Sequence, residues 1–264
     1  MLSAVGSAKG TIGVLTLALT LACGTEVPPD LLVVASENAA SRALAYLSST
    51  SELVTVDVVV GMMVYAEVTG DPLASSQAQR RLRLVPDEAI RAFGPALGTE
   101  HPAYEAQDLP EIQLDAADAP DPQMTLDNRD QSCPLEALSC ESSPECEEYM
   151  GLDLWGYPLT HQALTLVFAQ WGGCESRHDA TRERIGGRLR EAQRANPGPS
   201  DLASERMAML GQLGFTEAIE DVWIESLLNS QAAEGAFYWE ADDETGPHPT
   251  GVGLWALASW RRGE

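Results

Sequence analysis

The sequence has almost no lysine, few aromatic residues and no long apolar run. Lys9 is the only lysine among 264 residues, and 16 basic residues face 40 acidic ones, which gives a formal net charge of −24. Such a charge argues against a nucleic-acid backbone as a partner. No run reaches the roughly 18–20 apolar residues that a membrane-spanning helix needs. The motifs G-x-S-x-G, HExxH, G-x-G-x-x-G and the P-loop are also missing.

The first 22 residues are predicted to be a signal peptide. Residues 1–10 carry the single charge of Lys9, and an apolar stretch follows from Thr11 to Ala22, directly before Cys23. A stretch of this length fits a signal-peptide core and is too short to span a membrane. Its removal would take away the only lysine, which excludes lysine Schiff-base chemistry in the mature chain.

The end of this segment, Leu21-Ala22-Cys23, resembles the type II signal peptide of bacterial lipoproteins. One position departs from the pattern, since Thr20 stands where the family usually has Leu. The resemblance implies that Cys23 is acylated and becomes the N-terminus of an exported, membrane-anchored protein. Gly24 resembles the sorting position of outer-membrane lipoproteins, which face the periplasm or the cell surface. An ordinary secretory signal with an incidental cysteine is the alternative.

Four cysteines follow the signal segment: Cys133, Cys140, Cys146 and Cys174. An even number in an exported chain favours two disulfides, with three pairings open. Metal binding is the alternative, but it usually needs closer pairs such as C-x-x-C. A bond from the first three cysteines to Cys174 would fasten their segment to a predicted helix ending at Trp171.

Helical periodicity dominates the rest of the chain, so we predict an all-α fold of antiparallel helical hairpins. The predicted helices cover residues 36–47, 55–68, 158–171, 179–195, 200–213, 216–229 and 249–260. From about Thr99 to Asp130 the periodicity is lost, and prolines and acidic residues predict an irregular strap. The resulting division is a signal peptide at 1–22, N-terminal hairpins at 23–98, an acidic, proline-rich, cysteine-containing strap at 99–149 and a helical-repeat region at 150–264.

One segment near the C-terminus resembles the repeat signature of α/α-toroid proteins, the terpene-cyclase and prenyltransferase-like group. Leu228-Asn-Ser-Gln231 matches its L-x-x-Q helix end, and Glu234-Gly235-Ala-Phe237 matches the turn that follows. The resemblance implies a partial toroid, in which Gly235 adopts a left-handed turn, Gln231 bonds helix-end carbonyls and Phe237 packs between hairpins. The cyclase motif D-x-D-D is missing, which argues against an isoprenoid enzyme.

Two helix openings within the helical-repeat region are alike. Pro158-Leu-Thr-His161 begins a helix ending at Trp171, and Pro247-His248-Pro-Thr begins one ending at Trp260. In a toroid, alternate helices form an inner ring around a shared pocket, so we expect both histidines to face that pocket. The alternative for each is a helix-start histidine with a purely structural role.

Candidate site residues follow from these openings and from the acidic loop before His248. For an enzyme, the catalytic candidates are His161, His248, Asp242 and Asp243, since carboxylates beside imidazoles can transfer protons. The acidic loop with His248 could instead hold a divalent cation. An acidic hairpin tip and packing aromatics are the structural alternatives. The candidates for stacking against a ligand are Trp155, Tyr157, Tyr238 and Trp239. We assign no cofactor and no metal ligands.

The leading functional hypothesis is a lipid-anchored envelope protein. Its helical domain would bind a polysaccharide or an envelope protein without catalysis. The lipid would anchor the protein to a membrane, and nucleic acid would not be a partner. The alternative is a polysaccharide-active enzyme, either a lyase or a hydrolase, of the α/α-toroid type. A small-molecule or metal carrier is a third class.

Lipidation can be tested directly. Cells labelled with a fatty-acid probe should label the wild-type chain and leave Cys23→Ala unlabelled, because the thiol of Cys23 is the acceptor. The label is read by in-gel fluorescence after immunoprecipitation, with equal loading confirmed by antibody. Equal labelling of the two chains would contradict the prediction.

Overall fold

The computed structural model describes residues 28–50, 55–98, 100–109, 126–174, 179–238 and 245–263. These ranges contain eleven α-helices, two short 3₁₀ turns and one two-stranded antiparallel sheet, so the all-α class is confirmed. The predictions on Cys23, Trp239, Asp242 and Asp243 lie outside the described residues.

The helices are α1 (Pro29–Ser49), α2 (Val56–Thr69), α3 (Pro72–Leu82), α4 (Asp87–Ala92), α5 (Asn128–Leu138), α6 (Pro144–Gly151), α7 (Gly156–Trp171), α8 (Asp179–Ala195), α9 (Asp201–Gln212), α10 (Asp221–Asn229) and α11 (Pro247–Arg261). The strands are β1 (Phe237–Tyr238) and β2 (Thr245–Gly246), and Phe237 pairs with Gly246.

Capping explains several helix starts. The side chain of Asp71 accepts hydrogen bonds from two backbone N–H groups of the first turn of α3, and Ser200 caps α9 through the N–H of Ala203. Ser36, the first residue of the helix predicted over 36–47, does not cap a helix. It lies inside α1, where its hydroxyl donates to the carbonyl of Val33, because Pro29 starts the helix earlier.

The segment expected to be an irregular strap contains two helices at its C-terminal end, α5 and α6. Asp127 and Asp130 form a capping box at the start of α5, and Ser143 caps α6, which has Pro144 in its first turn. These signals are local and strong, but they lie among prolines and acidic residues that obscure the helical period. The part at 100–109 is irregular, as predicted.

Both predicted disulfides are present. Cys133 is bonded to Cys146, which joins α5 to α6, and Cys140 is bonded to Cys174. The second bond ties the turn after α5 to the residues just beyond Trp171 at the end of α7, which is the fastening that the sequence indicated. Closing loops of this size stabilises a fold by about 2–4 kcal/mol per bond.

The turn after α10 adopts the conformation implied by its sequence. Gly235 has a φ of 99°, which is in the left-handed region, and Phe237 is buried. Gln231 bonds carbonyl groups, but they are those of Ala39 in α1 and of Gly235 in the turn. This side chain therefore ties the turn to α1 instead of closing its own helix.

Helix α11 is the centre of the molecule, packed most extensively against α9 and α2. Twelve of its fifteen residues are buried, and most of the others lie in its first turn. At the crossing with α2, a Cβ atom on Gly61 would overlap the carbonyl oxygen of Gly251, and one on Gly251 would lie 2.6 Å from Cα of Val58. A Cβ on Gly211 of α9 would likewise overlap Ser259. The three backbones therefore approach to a distance that only glycine allows.

One hydrophobic core joins α11 to residues from both halves of the chain, from Leu32 of α1 to Trp260. The N-terminal hairpins and the helical-repeat region therefore bury their apolar faces together. Within the described ranges, no helix combines the length and the apolarity that crossing a membrane requires.

The glycine crossing predicts a position-specific loss of stability. Gly61→Ala should lower the free energy of unfolding by about 2 kcal/mol or more, because α2 and α11 must separate to admit the methyl group. Urea denaturation followed by circular dichroism measures this. Gly151→Ala is the matched control, since a Cβ there meets no atom within 4 Å, and it should change stability by less than about 1 kcal/mol. A Gly61→Ala chain as stable as this control would contradict the crossing.

Candidate functional site

A cavity of about 500 Å³ lies among α2, α5, α7, α9 and α11. Apolar side chains form most of its wall, and the polar groups come from the first two turns of the helices. The lining residues are Val56, Asp57, Val60, Phe93, Asp130, Gln131, Pro134, Leu135, Thr160, His161, Leu164, Phe168, Glu205, Met209, His248, Val252 and Trp255. Both predicted histidines, His161 and His248, therefore line the same cavity. Their predicted partners Asp242 and Asp243 lie outside the described residues.

His248 stands among three carboxylates on two neighbouring helices. Its Nδ1 atom is hydrogen-bonded to Oδ2 of Asp57, in the first turn of α2. Its Nε2 atom lies 3.3 Å from Oδ2 of Asp201 and 3.7 Å from Oε1 of Glu205. Asp201 and Glu205 are one turn apart on α9, so both project toward the same side of that helix. The close approach of α11 to α2 and α9 brings the four side chains together.

Helix α7 holds the two carboxylates of α9 in place. The hydroxyl of Tyr157 donates to Oδ2 of Asp201 at 3.1 Å, and the hydroxyl of Thr160 donates to Oε2 of Glu205. Asp201 is fully buried, and its other oxygen, Oδ1, has no hydrogen-bond partner among the described residues. A buried carboxylate oxygen without a donor costs free energy that a bound cation or water would recover.

The pKa values in this cluster describe a cationic imidazole held by carboxylates. Burial alone would lower the pKa of His248, but its hydrogen bonds to Asp201, Asp57 and Glu205 raise that pKa to about 12. Burial and the nearby charge of Glu205 raise the pKa of Asp201 to about 6, against the hydrogen bond from His248. Burial opposes ionisation of Asp57, yet its hydrogen bond with His248 holds its pKa below the usual value.

His161 has a different environment from that of His248. Its Nδ1 atom is hydrogen-bonded to the backbone carbonyl of Asp130, at the start of α5. The carboxylate of Asp130 is buried and accepts a hydrogen bond from the hydroxyl of Tyr149 at 2.6 Å. Burial, followed by this hydrogen bond, raises the pKa of Tyr149. His161 thus links α7 to α5 while its ring borders the cavity.

The aromatic residues predicted to stack against a ligand have different environments. Trp155 is buried, with the guanidinium of Arg188 4.5 Å from the centre of its ring, so that face of the ring already has a partner. Tyr157 positions Asp201, as described above, and Tyr238 is half-buried on β1. Trp239 lies outside the described residues.

Sequence reasoning missed Asp57, Asp201 and Glu205. Asp57 and Asp201 occupy first turns of helices, where acidic residues are common because they complement the helix dipole. The four-residue spacing of Asp201 and Glu205 was the available signal, although it indicates only a shared helix face. Their convergence on His248 depends on the packing of α2, α9 and α11, which no local pattern in the sequence specifies.

Comparison with protein-family models, with curated proteins and with solved structures gave no match. The resemblance of residues 228–237 to toroid repeats therefore gains no support from relatives. Functional inference depends on the geometry of the cavity.

The charge on His248 predicts a specific pH dependence of stability. The ordinary pKa of histidine is 6.5 and that of His248 in the folded chain is about 12. The stability that the charged imidazole contributes is therefore complete below pH 6.5 and is lost as the pH rises toward 12. Between pH 7 and 9 the free energy of unfolding should fall by up to about 1.4 kcal/mol per pH unit.

Urea titrations at several pH values in buffer with a chelator measure this slope. His248→Gln should remove most of it, whereas His161→Gln, the same substitution in the same cavity, should keep it. An equal slope in wild type and His248→Gln would show that the imidazole of His248 does not hold its proton in the folded chain.

Proposed function

We propose that this chain is a lipid-anchored envelope protein that binds a small amphipathic molecule in the described cavity, without catalysis. The observation that carries the proposal is the cavity of about 500 Å³ with apolar walls and a charged cluster in one wall. Pockets for small molecules usually have volumes of about 300–1,000 Å³ and a few polar groups that fix orientation. A small ligand suits this site better than the polysaccharide or protein partner expected from the sequence.

The lining indicates how such a molecule would lie. Leu164, Phe168, Val252 and Trp255 offer apolar surface, and burial of an apolar body against them contributes about 25 cal/mol per Å². Glu205, His248 and Thr160 would then meet the polar end of the ligand. Specificity would come from these few groups, and most of the affinity from the apolar contacts.

The lipid anchor and the envelope location are supported by two separate features. The first is the segment that precedes Cys23, with its resemblance to lipoprotein signals. The second is the pair of disulfides, since such bonds persist mainly in oxidising compartments outside the cytoplasm.

A polysaccharide-active enzyme is the second candidate, favoured by one arrangement in the cavity. Asp57 orients the ring of His248, and the other ring nitrogen faces Asp201 and Glu205. An oriented imidazole beside a carboxylate can serve as an acid–base pair. This candidate predicts that wild type releases new sugar ends from a polysaccharide and that Glu205→Gln does not. Such a result would show catalysis and contradict the proposal of binding alone.

The binding proposal is tested by filling the cavity. The full chain in mild detergent is titrated with the apolar fluorophore N-phenyl-1-naphthylamine, whose emission rises on transfer from water. Leu164→Trp should weaken binding at least tenfold, because the larger ring occupies the apolar end of the cavity. Leu73→Trp is the matched control, since Leu73 lies on α3 and is 51% exposed, and it should bind as wild type does.

Detergent alone is titrated as a blank, because micelles also take up the probe. Circular dichroism confirms that both variants fold. Wild type that does not enhance the emission beyond this blank, or a Leu164→Trp chain that binds as tightly as Leu73→Trp, would overturn the proposal.

A further inference from the structure

We propose that Asp201, Glu205 and His248 form a site for one divalent transition-metal ion, in the wall of the cavity. Each residue offers one ligand atom, and the three atoms lie within 4.8 Å of one another. Metal binding by these residues does not depend on which molecule the cavity takes, and it is measured without any such molecule.

The distances match those between ligands of a tetrahedral ion. Bonds from zinc to imidazole nitrogen and to carboxylate oxygen are about 2.0–2.2 Å, so neighbouring ligands of a tetrahedral site lie about 3.3–3.6 Å apart. In this structure Nε2 of His248 lies 3.3 Å from Oδ2 of Asp201 and 3.7 Å from Oε1 of Glu205. The ligand oxygens of Asp201 and Glu205 lie within 4.8 Å of each other, so they would move closer together around an ion bound among the three atoms.

A second, independent observation is the unpartnered oxygen of Asp201. This side chain is fully buried, and its Oδ1 atom accepts no hydrogen bond from any residue that the structure describes. Buried polar atoms almost always have a partner, so an unpartnered oxygen beside a cluster of possible metal ligands is consistent with a site for a cation. A cation chelated by both oxygens of Asp201 would give Oδ1 a partner as well as Oδ2.

The surrounding side chains have the arrangement that metal sites require around their ligands. Asp57 bonds Nδ1 of His248, which leaves Nε2 to face the two carboxylates. The ion would displace the proton from Nε2 and release it to solvent. A carboxylate on the far nitrogen is the usual way to orient a metal-binding histidine. Tyr157 and Thr160 each fix one oxygen of the carboxylate ligands. Side chains of α2 and α7 therefore hold the ligands of α9 and α11 in place before any ion binds.

The ligand set selects the class of ion. One imidazole nitrogen with two carboxylate oxygens suits Zn²⁺ and similar transition ions, whereas Mg²⁺ and Ca²⁺ prefer oxygen ligands alone. Three protein ligands leave a coordination position open. Glu205 and His248 both line the cavity, so that position would face the space available to a bound molecule or water.

The test is a zinc titration of the untagged full chain in detergent, against a chromophoric chelator. Wild type should bind one Zn²⁺ per chain, and Mg²⁺ or Ca²⁺ in hundredfold excess should not compete. Glu205→Gln and His248→Gln should each lower the affinity at least tenfold. Asp57→Asn should lower it about 10- to 100-fold through the orientation of His248.

His161→Gln is the matched control, because His161 lines the same cavity without facing the cluster, and it should bind zinc as wild type does. Circular dichroism checks that each variant folds. If a variant unfolds, X-ray absorption at the zinc edge of wild type decides the matter, with one imidazole and oxygen ligands expected.

Three results would overturn the proposal: no zinc bound by wild type, unchanged affinity in both Glu205→Gln and His248→Gln, or an absorption spectrum with sulfur or several imidazoles. The fluorophore titration reports separately on the cavity. Zinc binding without uptake of the fluorophore would contradict the small-molecule function and leave the metal site. Uptake of the fluorophore without zinc binding would contradict the metal site and leave the small-molecule function.

Discussion

The close approach of three helix backbones around α11 is the constraint on which the other features depend. Gly61, Gly251 and Gly211 allow α2 and α9 to approach α11 more closely than residues with a Cβ would. Because α2, α9 and α11 each contribute to the cluster from their first two turns, this approach places Asp57, Asp201 and Glu205 around His248. A wider separation would leave the same residues on the same helices without contact.

The charged cluster has a cost that the fold must offset. Three carboxylates around one imidazolium leave net negative charge in a partly buried site, and burial of charge is unfavourable even when the groups are paired. The helix dipole lowers this cost for Asp57 and Asp201, which lie at N-termini, but it opposes the cation at the start of α11. Groups with strongly shifted pKa values in a cavity are more typical of functional sites than of stabilising contacts.

Local patterns in the sequence predicted much of the fold and part of the site. The predicted helix starts at Thr55 and Ser200 lie one residue before the first residues of α2 and α9, and the even number of cysteines indicated two disulfides. The repeated Pro/His/Thr openings singled out His161 and His248, and both residues line the cavity. The pairing of the four cysteines stayed open in the sequence, and the structure bonds Cys140 to Cys174.

The misses have a common physical origin. Helices α5 and α6 begin with strong caps, but the prolines and acidic residues around them hide the period that a sequence search relies on. Asp57, Asp201 and Glu205 look like ordinary dipole-complementing acids until the helices are packed. Tertiary contacts decide both the burial of a residue and its neighbours, and neither quantity is encoded within a few positions of that residue.

The two disulfides have a consequence for the shape of the cavity. Helix α5 provides one wall, and it is cross-linked to α6 through Cys133 and, just past its end, to the residues after α7 through Cys140. Both disulfides therefore connect α5 or the turn after it to neighbouring parts of the chain. In a reducing compartment this wall would be held by packing and hydrogen bonds alone, so the cavity becomes fully rigid only where thiols are oxidised.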